Sequence, residues 1–177
     1  KQTGSRRRDV VGGDDGRVPV ADASTWPWRM ICFLEITGRS GASGTGTGFL
    51  IGPKLVLTAG HCVFGRDDLG GWAKSIVVVA GRSGVTYPFG RVSAARADAL
   101  DGWVDDEDPD FDIGCIQLAE PLGETVGWFD VAALPNDELQ SRRGNVAGYP
   151  SAKQGGTVLY HHAVVIAAFR AGRVFDV

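Results

Sequence analysis

Cysteine is scarce in this chain of 177 residues: only Cys32, Cys62 and Cys115 occur, too few to build a fold held together by disulfides. No apolar stretch approaches the length of a membrane-crossing helix, and the first residues lack the apolar core of a secretion signal, so a signal, if the protein is secreted, is absent from this sequence. A formal net charge of −3 supplies no global positive field to recruit nucleic acid or an anionic membrane, and the basic run Arg6-Arg7-Arg8 is local and terminal. A long amphipathic helical period is also missing, which argues against a helix bundle.

What is present points to strands. Hydrophobic residues make up 44% and charged residues 22%, the balance of a folded globular protein, and 26 glycines supply many tight turns. Residues 1–9 are polar and basic and read as a leader or propeptide remnant, with structure beginning near Val10. Strands are expected over residues 30–36, 49–51, 55–58, 75–80, 87–95 and 112–118, with a glycine-serine hairpin loop at 38–46 and a long acidic loop at 98–110. Residues 121–135 read as a crossing between two halves, and residues 145–148, 157–168 and 173–177 as strands of the second half. Short strands at short spacing predict an all-β barrel or sandwich.

Among the cysteines at most one bridge is available within the chain. Cys32 and Cys62 are the candidate pair, because Cys115 alternates with apolar neighbours and reads as a small buried side chain.

Two residues carry the pattern of acid-base chemistry. His61 ends the run Leu55-Val56-Leu57-Thr58-Ala59-Gly60-His61-Cys62, where small residues leave room around the ring. Asp112 opens a second apolar strand, and a carboxylate beside an imidazole would fix its tautomer and stabilise the imidazolium formed when the ring accepts a proton. Asp110 competes with Asp112 for that role, and a structural histidine and a turn-capping aspartate are the alternatives for the pair.

Trp26-Pro27-Trp28, Gly48-Phe49-Leu50-Ile51, Thr58-Ala59-Gly60-His61-Cys62 and Asp112-Ile113-Gly114 together resemble the trypsin-like (chymotrypsin-fold) serine endopeptidases. Gly12-Gly13-Asp14-Asp15 and Gly148-Tyr149-Pro150 make the chain most similar to the bacterial glutamyl-endopeptidase branch of that family. The resemblance implies an all-β, two-barrel chymotrypsin-like fold, with the first barrel in residues 10–120 and the crossing segment plus an incomplete second barrel in 121–177. It implies that His61 is the general base and Asp112 its orienting acid, with no metal and no cofactor. The family's glycine-flanked nucleophilic serine has no counterpart here: after Asp112 the serines are Ser141, in a polar stretch, and Ser151, in a turn.

The activity implied is peptide-bond hydrolysis through an acyl-enzyme, on peptide or protein substrates and with a preference for glutamate, by a secreted parent protein; residues 1–177 alone are expected to be inactive. Val10-Val11-Gly12-Gly13 resembles the start of a processed chain, so Val10 is the candidate mature N-terminus. Two further readings remain open, a non-catalytic protease-like binding module and a protein whose second barrel is completed by a separate segment. Two other features read as structural. The carboxylates at 105–110 lack the spacing of a calcium loop, and the adjacent His161 and His162 point to opposite faces of a strand.

Overall fold

Short antiparallel strands, two of them buried on both faces, close residues 31–118 into a six-stranded barrel, seen in a computed structural model that describes residues 15–139, 142–165, 168–170 and 174–176. After a short β1 (Val18–Pro19), the strands in chain order are β2 (Ile31–Thr37), β3 (Ser43–Gly52), β4 (Leu55–Thr58), β5 (Phe64–Gly65), β6 (Gly71–Trp72), β7 (Ser75–Ala80), β8 (Val92–Ala99) and β9 (Gly114–Leu118). The barrel runs β2-β3-β4-β9-β8-β7 and closes through β7 on β2, while β5 and β6 form a separate hairpin. Closure leaves the six barrel strands without a free sheet edge, and Leu34, Leu50, Val56, Val78 and Ile116 fill the barrel interior, each with no solvent exposure.

The expected hairpin loop is shorter than the glycine content of residues 38–46 implies. Gly38 N–H donates to Ala42 O at 2.8 Å, Gly41 takes a left-handed φ of +86°, and β3 starts at Ser43. Its alternate glycines are needed for packing: a Cβ on Gly46 would lie 2.6 Å from Cys62 Sγ, and one on Gly48 2.5 Å from Val56 Cγ1. Composition therefore understated strand here, because backbone pairing to β2 and β4 on both sides outweighs the poor strand propensity of glycine.

The strand expected over residues 87–95 is displaced to Val92–Ala99, because Gly90 closes a turn on Tyr87 O with a φ of +75°. The acidic segment expected as a loop contains α1 (Asp101–Asp106) and a 3-10 turn at Pro109–Phe111. Two more short helices, α2 (Leu122–Val126) and α3 (Asn136–Leu139), lie in the crossing between the halves.

In the second half β10 (Arg143–Gly148) pairs with β11 (Tyr160–Val165), and β1 joins the other edge of β11 with Val18 opposite His161. β12 (Ala168–Arg170) and β13 (Val174–Asp176) pair with each other. Among the described residues this half is an open three-stranded sheet with a separate hairpin, as an incomplete second barrel should be. Val20, Ala23, Ile31, Phe33, Val79, Tyr149 and Leu159 form a second core between the halves.

The cysteines differ from expectation. All three are free thiols, so Cys32 and Cys62 do not form the bridge suggested by the sequence. Cys32 Sγ faces Met30 O at 3.7 Å, and burial pushes its thiol up to about 12. Cys62 instead faces the glycine notch at Gly46. Cys115 is only half-buried, because the barrel interior claims its neighbours Ile116 and Leu118 and the two-residue period turns Cys115 outward with Gln117.

Candidate active site

β4 ends at Thr58, Ala59 remains extended, and Gly60–Cys62 make a single 3-10 turn that lifts His61 out of the sheet. Thr58 pairs with Gly114 on β9, so the entry to β9 lies beside that turn. The register carries Asp112, two residues before β9, onto His61.

One Asp112 oxygen, Oδ1, accepts the backbone N–H of His61 at 2.8 Å, and the other, Oδ2, lies 2.8 Å from His61 Nδ1. The side chain of His61 is 48% exposed and that of Asp112 22%, so the ring presents its far side to solvent while the acid is partly shielded behind it. The Asp112 carboxylate, followed by the Cys62 side chain, holds the imidazole well above its ordinary value, at about 10, against the opposing effect of partial burial. A ring held in this way keeps Nδ1 occupied and leaves Nε2 to exchange a proton with a group in front of it. Asp110, the competing acid, is exposed and donates its backbone N–H to Asp108 Oδ1 at 3.0 Å.

Sequence reasoning missed the residue that supports the histidine turn. Trp103, on α1, is 2% exposed, its ring centroid lies 6.2 Å from that of His61, and its Nε1–H donates to Phe64 O at 3.0 Å. A Cβ on Gly60 would sit 2.6 Å from Trp103 Cδ1, so glycine is what lets the turn lie against the indole. The signal was a single aromatic in an otherwise acidic segment, but its contact with Gly60 is long-range and no local pattern encodes it.

The acidic segment is ordered by an arginine. Arg66 N–H donates to Glu107 Oε1 at 2.9 Å, and its guanidinium donates to Val104 O at 3.0 Å and to Asp105 O, so a cation stands at the C-terminal end of α1. Among the described residues no group of three or more His, Cys, Asp or Glu is placed to hold a metal ion.

Of the remaining candidates, Ser151 lies exposed in the turn after β10. Ser141 and Val10 lie outside the described residues, as does the leader at 1–9. His161 stacks on Trp28 with ring centroids 4.8 Å apart, while His162 is exposed, so the two histidines do not converge.

Comparison with known proteins bears on the family and the fold. The sequence profile of the Trypsin family matches residues 17–171. The chain is 36% identical over 154 residues to the glutamyl endopeptidase of Bacillus licheniformis, covering 87% of this chain and 46% of that protein. It is 35% identical over 147 residues to a Bacillus subtilis protein named extracellular metalloprotease, covering 82% of this chain and 46% of that protein. The chain thus spans about half the length of these curated relatives. A solved Glu endopeptidase in complex with MPD superposes with a TM-score of 0.78 at 27% identity, over 91% of this chain and 73% of that one. The protease Anisep from Arthrobacter nicotinovorans gives a TM-score of 0.69 at 19% identity, over 82% of this chain and 67% of that one, and bears on the fold alone.

Proposed function

The chain belongs to the trypsin family of serine peptidases, and on that premise we propose that it is the part of a secreted serine endopeptidase that carries the general base and its orienting acid. The single observation that supports this reading best is the two-point contact of Asp112 with His61, through backbone N–H and Nδ1 together. In its neutral form, His61 takes the proton from a serine hydroxyl at Nε2 as that oxygen attacks the scissile carbonyl, then returns it to the leaving amine; water repeats the cycle to release the acyl group. Asp112 stabilises the imidazolium in each transition state and prevents the ring from turning.

The serine itself is the part that this reading assigns to a segment outside these 177 residues, since no glycine-flanked serine follows Asp112. In the proposed division, residues 10–120 supply the base and the acid, and the second half, from 121 onward, delivers the nucleophile to the cleft. Glutamate preference is proposed from the likeness to the glutamyl endopeptidase of Bacillus licheniformis, with Val10 as the proposed start of the mature chain.

The test uses the full-length protein with chromogenic peptides bearing Glu, Arg or Phe at the cleaved position, and a fluorophosphonate label. Cleavage after Glu with stoichiometric labelling is expected, and His61→Ala should lower kcat by more than about 10⁴-fold. Residues 1–177 alone should neither cleave nor label. A full-length protein that binds such peptides without labelling would replace the enzyme reading with that of a protease-like binding module.

A further inference from the structure

Two threonine hydroxyls, meeting at Thr47, connect the histidine strand to the second half. Thr58, at the end of β4, is 8% exposed, and its hydroxyl donates to Thr47 O at 2.8 Å. A buried hydroxyl costs stability unless it is bonded, so this contact fixes β3 against the strand that leads into Ala59, Gly60 and His61. The same Thr47 has a second contact in the opposite direction: its Oγ1 accepts the backbone N–H of Tyr149 at 2.8 Å, from the residue that follows β10. One residue therefore touches both the His61-bearing strand, through its carbonyl, and the second half, through its hydroxyl.

Tyr149 spans three adjacent barrel strands at this seam. Its N–H reaches Thr47 on β3, and its ring meets Phe33 on β2 edge-on, with centroids 5.4 Å apart at 81°. Its hydroxyl donates to Arg82 O at 3.1 Å, just beyond β7. Tyr149 is 5% exposed and Phe33 1%, so the ring contact is buried. A Cβ on Gly148 would lie 2.9 Å from Thr47 Oγ1, and the missing side chain is what lets β10 approach that hydroxyl. The Gly148-Tyr149-Pro150 motif thus has a structural task that the acid-base pair leaves unexplained.

We propose that Thr47 is a positioning residue that registers the second half of the protein against the His61 strand, so that the nucleophile delivered by that half meets Nε2 at reacting distance. The proposal rests on the endopeptidase reading for its kinetic consequence, and on the hydrogen bonds above for its structural one. Thr47 touches no reacting atom; it acts through Thr58 on one side and Tyr149 on the other. Reaction rate is sensitive to small misplacement of reacting groups, whereas binding of a peptide along the cleft is much less so. Loss of the Thr47 hydroxyl should therefore be felt in kcat and not in KM.

The experiment compares Thr47→Val and Thr47→Ser in the full-length protein. Valine keeps the branched shape suited to a strand and removes the acceptor, while serine restores it. In Thr47→Val, exchange of the Tyr149 amide hydrogen should rise by about tenfold on loss of its acceptor. With it kcat should fall by about tenfold or more while KM stays within about twofold. The His61 ring should titrate as in the unsubstituted protein, since its pairing with Asp112 lies wholly within the first barrel. Thr47→Ser should restore both the exchange protection and kcat.

Unchanged Tyr149 protection in Thr47→Val would overturn the proposal, as would faster exchange with kcat intact. Failure of Thr47→Ser to restore kcat would also overturn it, by assigning the effect to the lost methyl. If the unsubstituted full-length protein hydrolyses no peptide, the endopeptidase reading fails by itself, and amide exchange then decides the seam separately.

Discussion

Asp112 grips His61 twice, at the backbone N–H and at Nδ1, both at 2.8 Å. A carboxylate with both oxygens engaged on one residue sets the position of the turn as well as the tautomer of the ring. The imidazole is raised from 6.5 to about 10, chiefly by this carboxylate. For a basic group raised on folding, the linked stability is fully present below the unfolded value of 6.5 and is lost as pH rises through about 10. Asp112→Asn should lower the His61 titration midpoint toward its ordinary value, read by NMR of the ring protons. The variant should also be less stable by about 1 kcal/mol below pH 6.5, a hydrogen bond to a charged group being discounted here for a half-exposed ring. The gap between the two proteins in urea unfolding should close between pH 6.5 and 10.

Trp103 and Gly60 form the floor under the same turn, and each should be sensitive to a different change. Trp103→Ala removes a fully buried indole and the donor to Phe64 O, which should cost about 3–5 kcal/mol in urea unfolding. Gly60→Ala places a Cβ 2.6 Å from the indole and should cost about 1–3 kcal/mol by overpacking. Combined with Trp103→Ala, the alanine at position 60 has space, so the double variant should be more stable than the sum of the two losses implies. Additive losses in that cycle would show that Gly60 does not rest on Trp103.

This floor also marks the limit of what the residues alone convey. β7 is legible to the residue, because Ile76, Val77, Val78 and Val79 form an unbroken β-branched run, three of them buried, closed by the turn at Gly81. The His61 and Asp112 motifs are legible as sequence patterns, yet their contact depends on β4 pairing with β9, a register that neither strand states alone. The half-burial of Cys115 follows from which face β9 turns inward, and its apolar neighbours cannot reveal that. The order of the acidic segment depends on Arg66, which lies far away in sequence.

The empty notch at Gly46 offers a direct test of the cysteine geometry. A Cβ there would lie 2.6 Å from Cys62 Sγ, so a thiol at position 46 is brought against that of Cys62, which must shift to accommodate it. Gly46→Cys should form a disulfide with Cys62 under air oxidation. The variant has 3 + 1 cysteines, and two thiols, those of Cys32 and Cys115, should then titrate after denaturation without reductant. Closing a loop of about 15 residues should stabilise the oxidised form over the reduced one by about 3 kcal/mol, less any strain. Four thiols titrating after the same air oxidation and denaturation would mean that Cys62 does not face β3.

Asp15 ties the N-terminal segment to the second half. Its carboxylate receives the Arg17 guanidinium at 2.8 Å and Lys153 Nζ at 2.8 Å, and these partners, Arg17 first, hold it well below the usual carboxylate range. The contact is exposed, so its effect is local fastening of β1 and not global stability. For an acid lowered on folding, the linked stabilisation is present above the unfolded value of 3.8 and disappears as pH falls through the lower folded value. Asp15→Asn should therefore speed amide hydrogen exchange at Val18 and Val20 at pH 7, where Val20 N–H is bonded to Leu159 O at 2.8 Å, while leaving the barrel strands unchanged. Added salt should weaken the difference between the two proteins, because the pair it removes is screened. If exchange at these two amides is the same in both proteins at low salt, the segment is held by its pairing with β11 alone, through Val18 and Pro19 against His161 and Tyr160.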